Sequence, residues 1–388
     1  MKHWTVVLMT AALAACAAAP VAQYDSRHFH DELFAAPGER IAAGDIFALS
    51  PEMQHYLDAQ IAPRASKRGR QLALVDALFT KGELKLEYDS AMTRNAAQAF
   101  AAHSGNCLSL VIMTAAFAKA LDLPVEYQKV AVDDALSRAG DIYLAIGHVN
   151  LTLGRRKTDD GGFGYRVGRK PPESEGLTID FLPPDDIRGQ RGRPVGEDVI
   201  VAMYMNNRAV EALARGDVDD AYWWAREAIV QSPSFLTAYN TLAVVYRRHG
   251  NAREAEPVLR HVLEREPANT QAMSNLVVVL ADLGRTDESQ RLAATLKQID
   301  PEPPFSHFNR GLAAMRAGDL AAAKEAFGKE IARAPDYHEF HFWLAVAHAG
   351  LGEHAEAKRH LALAKKNSTT RRDHDLYAAK LDRLQQVH

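Results

Sequence analysis

The sequence predicts two structural classes in one chain: an α+β domain in the first half and an all-α solenoid of paired helices in the second. Three observations carry this. Prolines at 233, 267, 301 and 335 recur every 34 residues, a period that belongs to stacked helical hairpins. Upstream, Val111 to Leu121 continues a helical pattern with Leu110, Thr114, Phe117, Ala118 and Leu121 on one face. Beyond it lie four short runs with the composition and spacing of strands: Val125 to Val132, Ile142 to Leu153, Phe163 to Val167 and Leu177 to Leu182.

The chain opens on a leader. Lys2 and His3 make a short polar start, Trp4 to Leu13 an apolar run, and Ala14-Ala15 the small residues of an export signal. The run is too short to span a bilayer. Leu13-Ala14-Ala15-Cys16 resembles the bacterial lipobox, which implies diacylation of Cys16, removal of residues 1–15 and a tether over 16–23. An ordinary signal peptide cut near Ala19 is the alternative. Ala17 stands where the lipoprotein family carries an aspartate for inner-membrane retention, so the resemblance implies an outer-membrane anchor facing the periplasm. Each buried methylene of such an anchor contributes about 0.8 kcal/mol.

Composition narrows the class further. Of 388 residues, 47% are apolar and 24% charged, which is ordinary for a globular chain. A formal net charge of −3 provides no basic footprint for nucleic acid. There is no Cys pair and no His-Glu-x-x-His spacing, so neither a metal nor a cofactor is expected. The second of two cysteines, Cys107, is then an unpaired thiol in an oxidising compartment.

From Asp25 to Phe100 the pattern is helical. Ser50-Pro51 caps and starts a helix through about Ile61, and Gln71 to Phe79 keeps a helical period. Ser104-Gly105-Asn106 then leads into Cys107, and Asp122-Leu123-Pro124 ends the helix that follows. A thiol in the first turn of a helix faces free backbone N–H groups and the positive end of the dipole, which favour the thiolate. Acyl transfer also needs a base and a group to orient it. His148 shares a strand face with Ile142, Leu144 and Ile146, and Asp180 interrupts the apolar run Leu177, Ile179, Phe181. Both are polar groups in apolar company that require a partner. Asp141, Asp185 and Asp186 are reserves for Asp180.

Gly-x-Cys opening a helix that ends in Leu-x-Leu-Pro, followed by a strand-borne His and a strand-borne Asp, resembles the transglutaminase-like superfamily of papain-type cysteine enzymes over about 85–185. The resemblance implies a helix packed on an antiparallel sheet, with Cys107 as nucleophile, His148 as base and acid, and Asp180 as orienter. The Cys107 N–H becomes one oxyanion donor, with Asn95, Gln98 and His103 open as sources of the second. Val149 replaces the family's aromatic residue after the histidine, and no tryptophan precedes Asp180. Arg155 to Gly176 reads as a long hairpin insertion beside the site. The domain spans 24–199.

The 34-residue period resembles the tetratricopeptide repeat. Tyr239, Leu242, Ala243, Tyr246, Ala255 and Leu259 fall in register in the second unit, and Leu344, Ala345, Gly352, Ala357 and Leu361 in the fifth. Five units occupy 200–371, with a polar capping helix over 372–388. Arg208 departs from the pattern where a leucine is expected. Each unit hides its apolar face only by stacking on its neighbours. The register places Asn206, Asn240, Arg247, Phe305, Phe308 and Phe342 on a groove for a protein or peptide, unless they are packing residues. The expected function is a periplasm-facing lipoprotein whose cysteine hydrolase or acyltransferase domain acts on a protein or peptide recruited by the repeats. A non-catalytic envelope scaffold is the alternative.

Overall fold

The computed structural model describes residues 24–79, 84, 86–90, 92–130, 136–139, 142–145, 148–154, 176–181, 192–368 and 370–385. The leader with Cys16, the tether, the strand at Phe163 to Val167, the insertion from Arg155 to Glu175, and Asp141, Asp185 and Asp186 lie outside these residues.

Residues 25–49 differ from the helical expectation. They form a strap with three short 3-10 turns, Ser26–His28, Asp31–Leu33 and Ala43–Asp45. The strap pairs its backbone with repeat side chains, so it satisfies its polar groups without a helix. The His30 N–H donates to the Tyr222 and Tyr246 hydroxyls at 3.0 and 3.1 Å, and the Tyr246 hydroxyl donates to the His28 carbonyl at 2.8 Å. Phe34 stacks flat on Tyr222, with centroids 3.9 Å apart and planes 7° apart. Helices α1 (Pro51–Tyr56), α2 (Ala62–Arg68) and α3 (Arg70–Phe79) follow, the first capped by Ser50 and joined to the second by a wide turn at Leu57–Ile61.

Strand β1 (Glu87–Tyr88) runs parallel to β2 (Ser104–Gly105), with α4 (Ala96–Ala102) between them in sequence. Helix α5 (Cys107–Ala120) is buried from Cys107 to Ala118 on every side, as a helix apolar all round must be. It packs on a four-stranded antiparallel sheet ordered β7-β6-β3-β8, formed by β3 (Val125–Val130), β6 (His148–Leu153), β7 (Leu177–Ile179) and β8 (Gly192–Val195). The single strand read over Ile142 to Leu153 is two strands. Its first part, β5 (Ile142–Ala145), pairs with β4 (Leu136–Ala139) in a separate hairpin, and only β6 joins the main sheet.

Five helical hairpins follow: α6 (Glu197–Arg215) with α7 (Val218–Gln231), α8 (Leu236–Arg248) with α9 (Ala252–Arg265), α10 (Thr270–Asp282) with α11 (Thr286–Ile299), α12 (Ser306–Ala317) with α13 (Leu320–Arg333), and α14 (His338–Gly350) with α15 (His354–Lys366). Helix α16 (Arg371–Gln385) closes the stack. Each hairpin turns on a glycine in the left-handed region, at 216, 250, 284, 318 and 352, with φ between 74° and 90°. A side chain there would be strained. One apolar core runs unbroken from Phe34 through α5 and the sheet to Leu280 in the third hairpin, and a second cluster holds the last two hairpins. The amino-terminal region and the first three units are therefore fused by packing.

Candidate active site

The local sequence Gly105-Asn106-Cys107 is explained residue by residue. A Cβ on Gly105 would lie 2.6 Å from the Ser109 Cβ, so only glycine lets β2 pass against the first turn of α5. Asn106 caps the helix: its Oδ1 accepts from the Ser109 N–H at 2.9 Å, and its Nδ2 donates to Thr93 Oγ1 at 2.9 Å. Cys107 is then the first helical residue, 5% exposed and unpaired.

His148 opens β6. Side chains two apart on a strand share a face, so His148 and Asn150 project together while Val149, Leu151 and Leu153 enter the core at 0% exposure. The antiparallel register pairs Leu151 with Ile179 and so carries Asp180, just past the end of β7, towards Asn150. The result is a converging set. His148 Nε2 lies 2.7 Å from Asp180 Oδ1, and Asn150 Nδ2 donates to Asp180 Oδ2 at 3.0 Å. The His148 and Asp180 side chains are 3% and 10% exposed.

The structure thus brings His148 and Asp180 together, and the Cys107 thiol is near enough to act on the His148 imidazole. Burial opposes the charged imidazolium. The hydrogen bonds to Asp180 and Cys107 and their charges outweigh it and push the His148 pKa up to about 9. A histidine that holds its proton beside a cysteine, with a carboxylate on its far nitrogen, has the parts that a thiol nucleophile requires.

Two further groups went unread in the sequence. Asn150 holds the second oxygen of Asp180, and its place two residues after His148 was the available signal. Tyr88 sits opposite Gly105 in the β1–β2 ladder. Burial first, then the nearby charges of Cys107 and Asp89, raises its phenol pKa. The three residues considered as oxyanion donors lie on or at the ends of α4. Asn95 and Gln98 form the capping box of α4, each accepting from the other's backbone N–H at 2.9 and 3.1 Å. His103 ends that helix at φ 50°, its ring against Phe100 at 6.2 Å.

The residues assigned to the repeat groove divide differently. Phe305 and Phe308 are core, 3% and 0% exposed, clustered with Phe327 and Phe340. Phe308, on α12, packs inward against Phe327 and Phe340, whereas Phe305, which caps α12, lines a small cavity with Glu330, Tyr337 and Phe340. Phe342 is covered by α16, stacking on Tyr377 at 5.1 Å with Lys380 Nζ 5.6 Å from its ring. Asn206 and Asn240 are buried, the latter accepting from Asn275 Nδ2 at 2.9 Å. Arg247 Nε donates to Asp282 Oδ2 at 2.7 Å across the first helices of adjacent hairpins. The irregular Arg208 also finds its reason, bonding Glu39 of the strap and Glu211 at 3.0 Å each.

Comparison with known proteins bears on the repeats. The tetratricopeptide repeat family matches residues 246–307 and 308–369. A TPR repeat-containing protein of Pseudomonas aeruginosa is 28% identical over 152 residues, 39% of this chain and 25% of that protein. The chain thus spans about a quarter of the length of this curated relative. Among solved structures, a thermophilic TPR protein of Thermus thermophilus is 20% identical with a TM-score of 0.32, covering 46% of this chain and 98% of its own. Pseudomonas aeruginosa PilF is 20% identical with a TM-score of 0.29, covering 49% and 94%. Residues 246–369 are tetratricopeptide repeats, a module that binds protein partners.

Proposed function

We propose that the protein is a lipid-anchored, periplasm-facing cysteine enzyme that cleaves acyl bonds in a protein or peptide recruited by its repeats. The observation that carries this reading is the His148 imidazole: Asp180 holds its Nε2 at 2.7 Å, and the Cys107 thiol is near enough to act on the same ring. Transglutaminase-like chemistry follows from those roles. The Cys107 sulfur attacks the acyl carbonyl, forming the C–S bond, while the helix-start N–H groups accommodate the oxyanion. The C–N bond then breaks as His148 gives its proton to the leaving amine. Water, deprotonated by His148, cleaves the thioester and restores the thiolate. Asp180, steadied by Asn150, keeps the ring oriented throughout.

Anchoring rests on the Leu-Ala-Ala-Cys16 leader, and recruitment on the repeats. The test is acylation: mixing the purified chain with an activated ester should trap an acyl group on Cys107, visible by intact-mass spectrometry. Cys107→Ala should abolish the adduct and His148→Ala should slow it by at least about a hundredfold. Equal acylation of His148→Ala and the unaltered chain would overturn the reading.

A second reading, a non-catalytic envelope scaffold, draws on the 5% exposure of Cys107 and on the core shared between the amino-terminal region and the repeats. Comparing the cellular phenotype of Cys107→Ala with that of a deletion of the second to fifth repeat units separates the two. A defect confined to the deletion favours the scaffold.

A further inference from the structure

The last hairpin carries a cluster of histidines that the active site does not use. His348 on α14 and Glu356 and His360 on α15 bring one ligand atom each to within 4.8 Å of one another. His341, His348 and His360 are all at least nine-tenths buried, at 4%, 9% and 6% exposure. The hydrogen bonds decide which nitrogens carry protons. A carbonyl only accepts, so His341 Nε2, 2.7 Å from the Pro335 oxygen, is the donor of that pair. Its Nδ1 is then the acceptor in the 2.9 Å contact with His360 Nδ1. His360 therefore donates from Nδ1 and keeps a lone pair on Nε2. On the opposite helix, His348 donates from Nδ1 to the Glu353 carboxylate and keeps its own lone pair on Nε2.

Two imidazoles present Nε2 lone pairs beside a carboxylate, and each ring is fixed by an N–H bond on its far side. That is how proteins orient histidines that bind a metal. Two of the three groups already hold a cation: the Arg359 guanidinium has Nη2 donating to His360 Nε2 at 3.0 Å and also 2.8 Å from Glu356 Oε2. Arg359 and Glu356 are 60% and 48% exposed, so both can swing without disturbing the core.

We propose that His348 Nε2, His360 Nε2 and the Glu356 carboxylate form a zinc-binding site that pins α14 to α15. Imidazole nitrogens exclude calcium and magnesium, which take oxygen ligands. Two nitrogens and one carboxylate with an open fourth position suit tetrahedral zinc. Ligand atoms of such a centre stand about 3.3 Å apart for metal–ligand bonds near 2 Å. Closing from the present spacing requires Arg359 to leave and Glu356 to take a new rotamer. The sequence lacks a His-x-x-x-His or Cys pair here, because the ligands come from two helices joined only by the hairpin.

The test uses the full chain made without a polyhistidine tag, freed of metal, and titrated with Zn²⁺ in competition with a chromophoric chelator. One Zn²⁺ per chain is expected. His348→Ala and Glu356→Gln should each weaken binding by at least about tenfold, and His341→Phe, which removes only the partner of His360, by about 10–100-fold. Arg359→Ala should bind as tightly or tighter, because it vacates the position. Circular dichroism distinguishes lost ligands from lost fold, and Glu356→Gln changes only a half-exposed side chain. Absence of stoichiometric binding by the unaltered chain, or binding undiminished in both His348→Ala and Glu356→Gln, or weakened in Arg359→Ala, overturns the proposal.

Discussion

Asp180→Asn isolates the electrostatics of the candidate site. The substitution keeps the shape and an acceptor oxygen near His148 Nε2 but removes the carboxylate charge. Raising the His148 pKa from its ordinary 6.5 to about 9 corresponds to on the order of 3 kcal/mol favouring the imidazolium. At 3% exposure, solvent screens little of it. Burial pulls the other way, so a histidine deprived of Asp180 should lose its proton at least about one pH unit lower. The assay is the rate of Cys107 alkylation by iodoacetamide against pH, with the adduct counted by mass spectrometry. In the unaltered chain the imidazolium should persist until pH approaches about 9, and the change there should move down in Asp180→Asn. Stability follows the same sign. A pKa raised on folding stabilises fully below 6.5 and is lost as pH climbs through about 9. Thermal melts between pH 6 and 10 should therefore fall more steeply in the unaltered chain than in Asp180→Asn. Identical alkylation profiles in the two proteins would refute the reasoning.

Two predictions concern the frame around the site. Gly311→Ala places a Cβ within 2.4–2.8 Å of the Phe327 ring, so overpacking should destabilise the fourth hairpin by about 1–3 kcal/mol, read as a lower denaturant midpoint. Phe34→Ala removes the ring stacked on Tyr222 at 3.9 Å; a loss of about 3–5 kcal/mol and faster proteolysis within residues 25–49 are expected, whereas unchanged proteolysis would mean the strap is held by its hydrogen bonds alone.

Much of the site was legible because each part is a local signal. Asn106 before Cys107 reads as a cap, and a lone histidine or aspartate among alternating apolar residues reads as a polar group awaiting a partner. The break between β5 and β6 was not legible: Ile142 to Leu153 keeps one alternating pattern throughout, and only the choice of pairing partner divides it. The strap was misread for a related reason. Its residues satisfy their backbone through Tyr222 and Tyr246, about 190 to 220 positions away, and no local pattern reports that. Phe305 and Phe308 show the limit of register reasoning, since a repeat template says which helix a residue sits on more securely than which way it faces.

The sequence by itself determined the repeats. Their period is local, the first four hairpins each being followed by a proline and all five turning on the glycines at 216, 250, 284, 318 and 352 that supply a left-handed turn. It also determined that Cys107 starts a helix. Tertiary structure alone decided that His148 and Asp180 meet, because the pairing of strands sets the distance between residues 32 positions apart. It likewise decided that Asn150 joins them, and that His341, His348 and His360 gather between two helices. Helical turns and caps are fixed by neighbours in the chain, whereas a site assembled from several elements exists only once the apolar faces between them are buried.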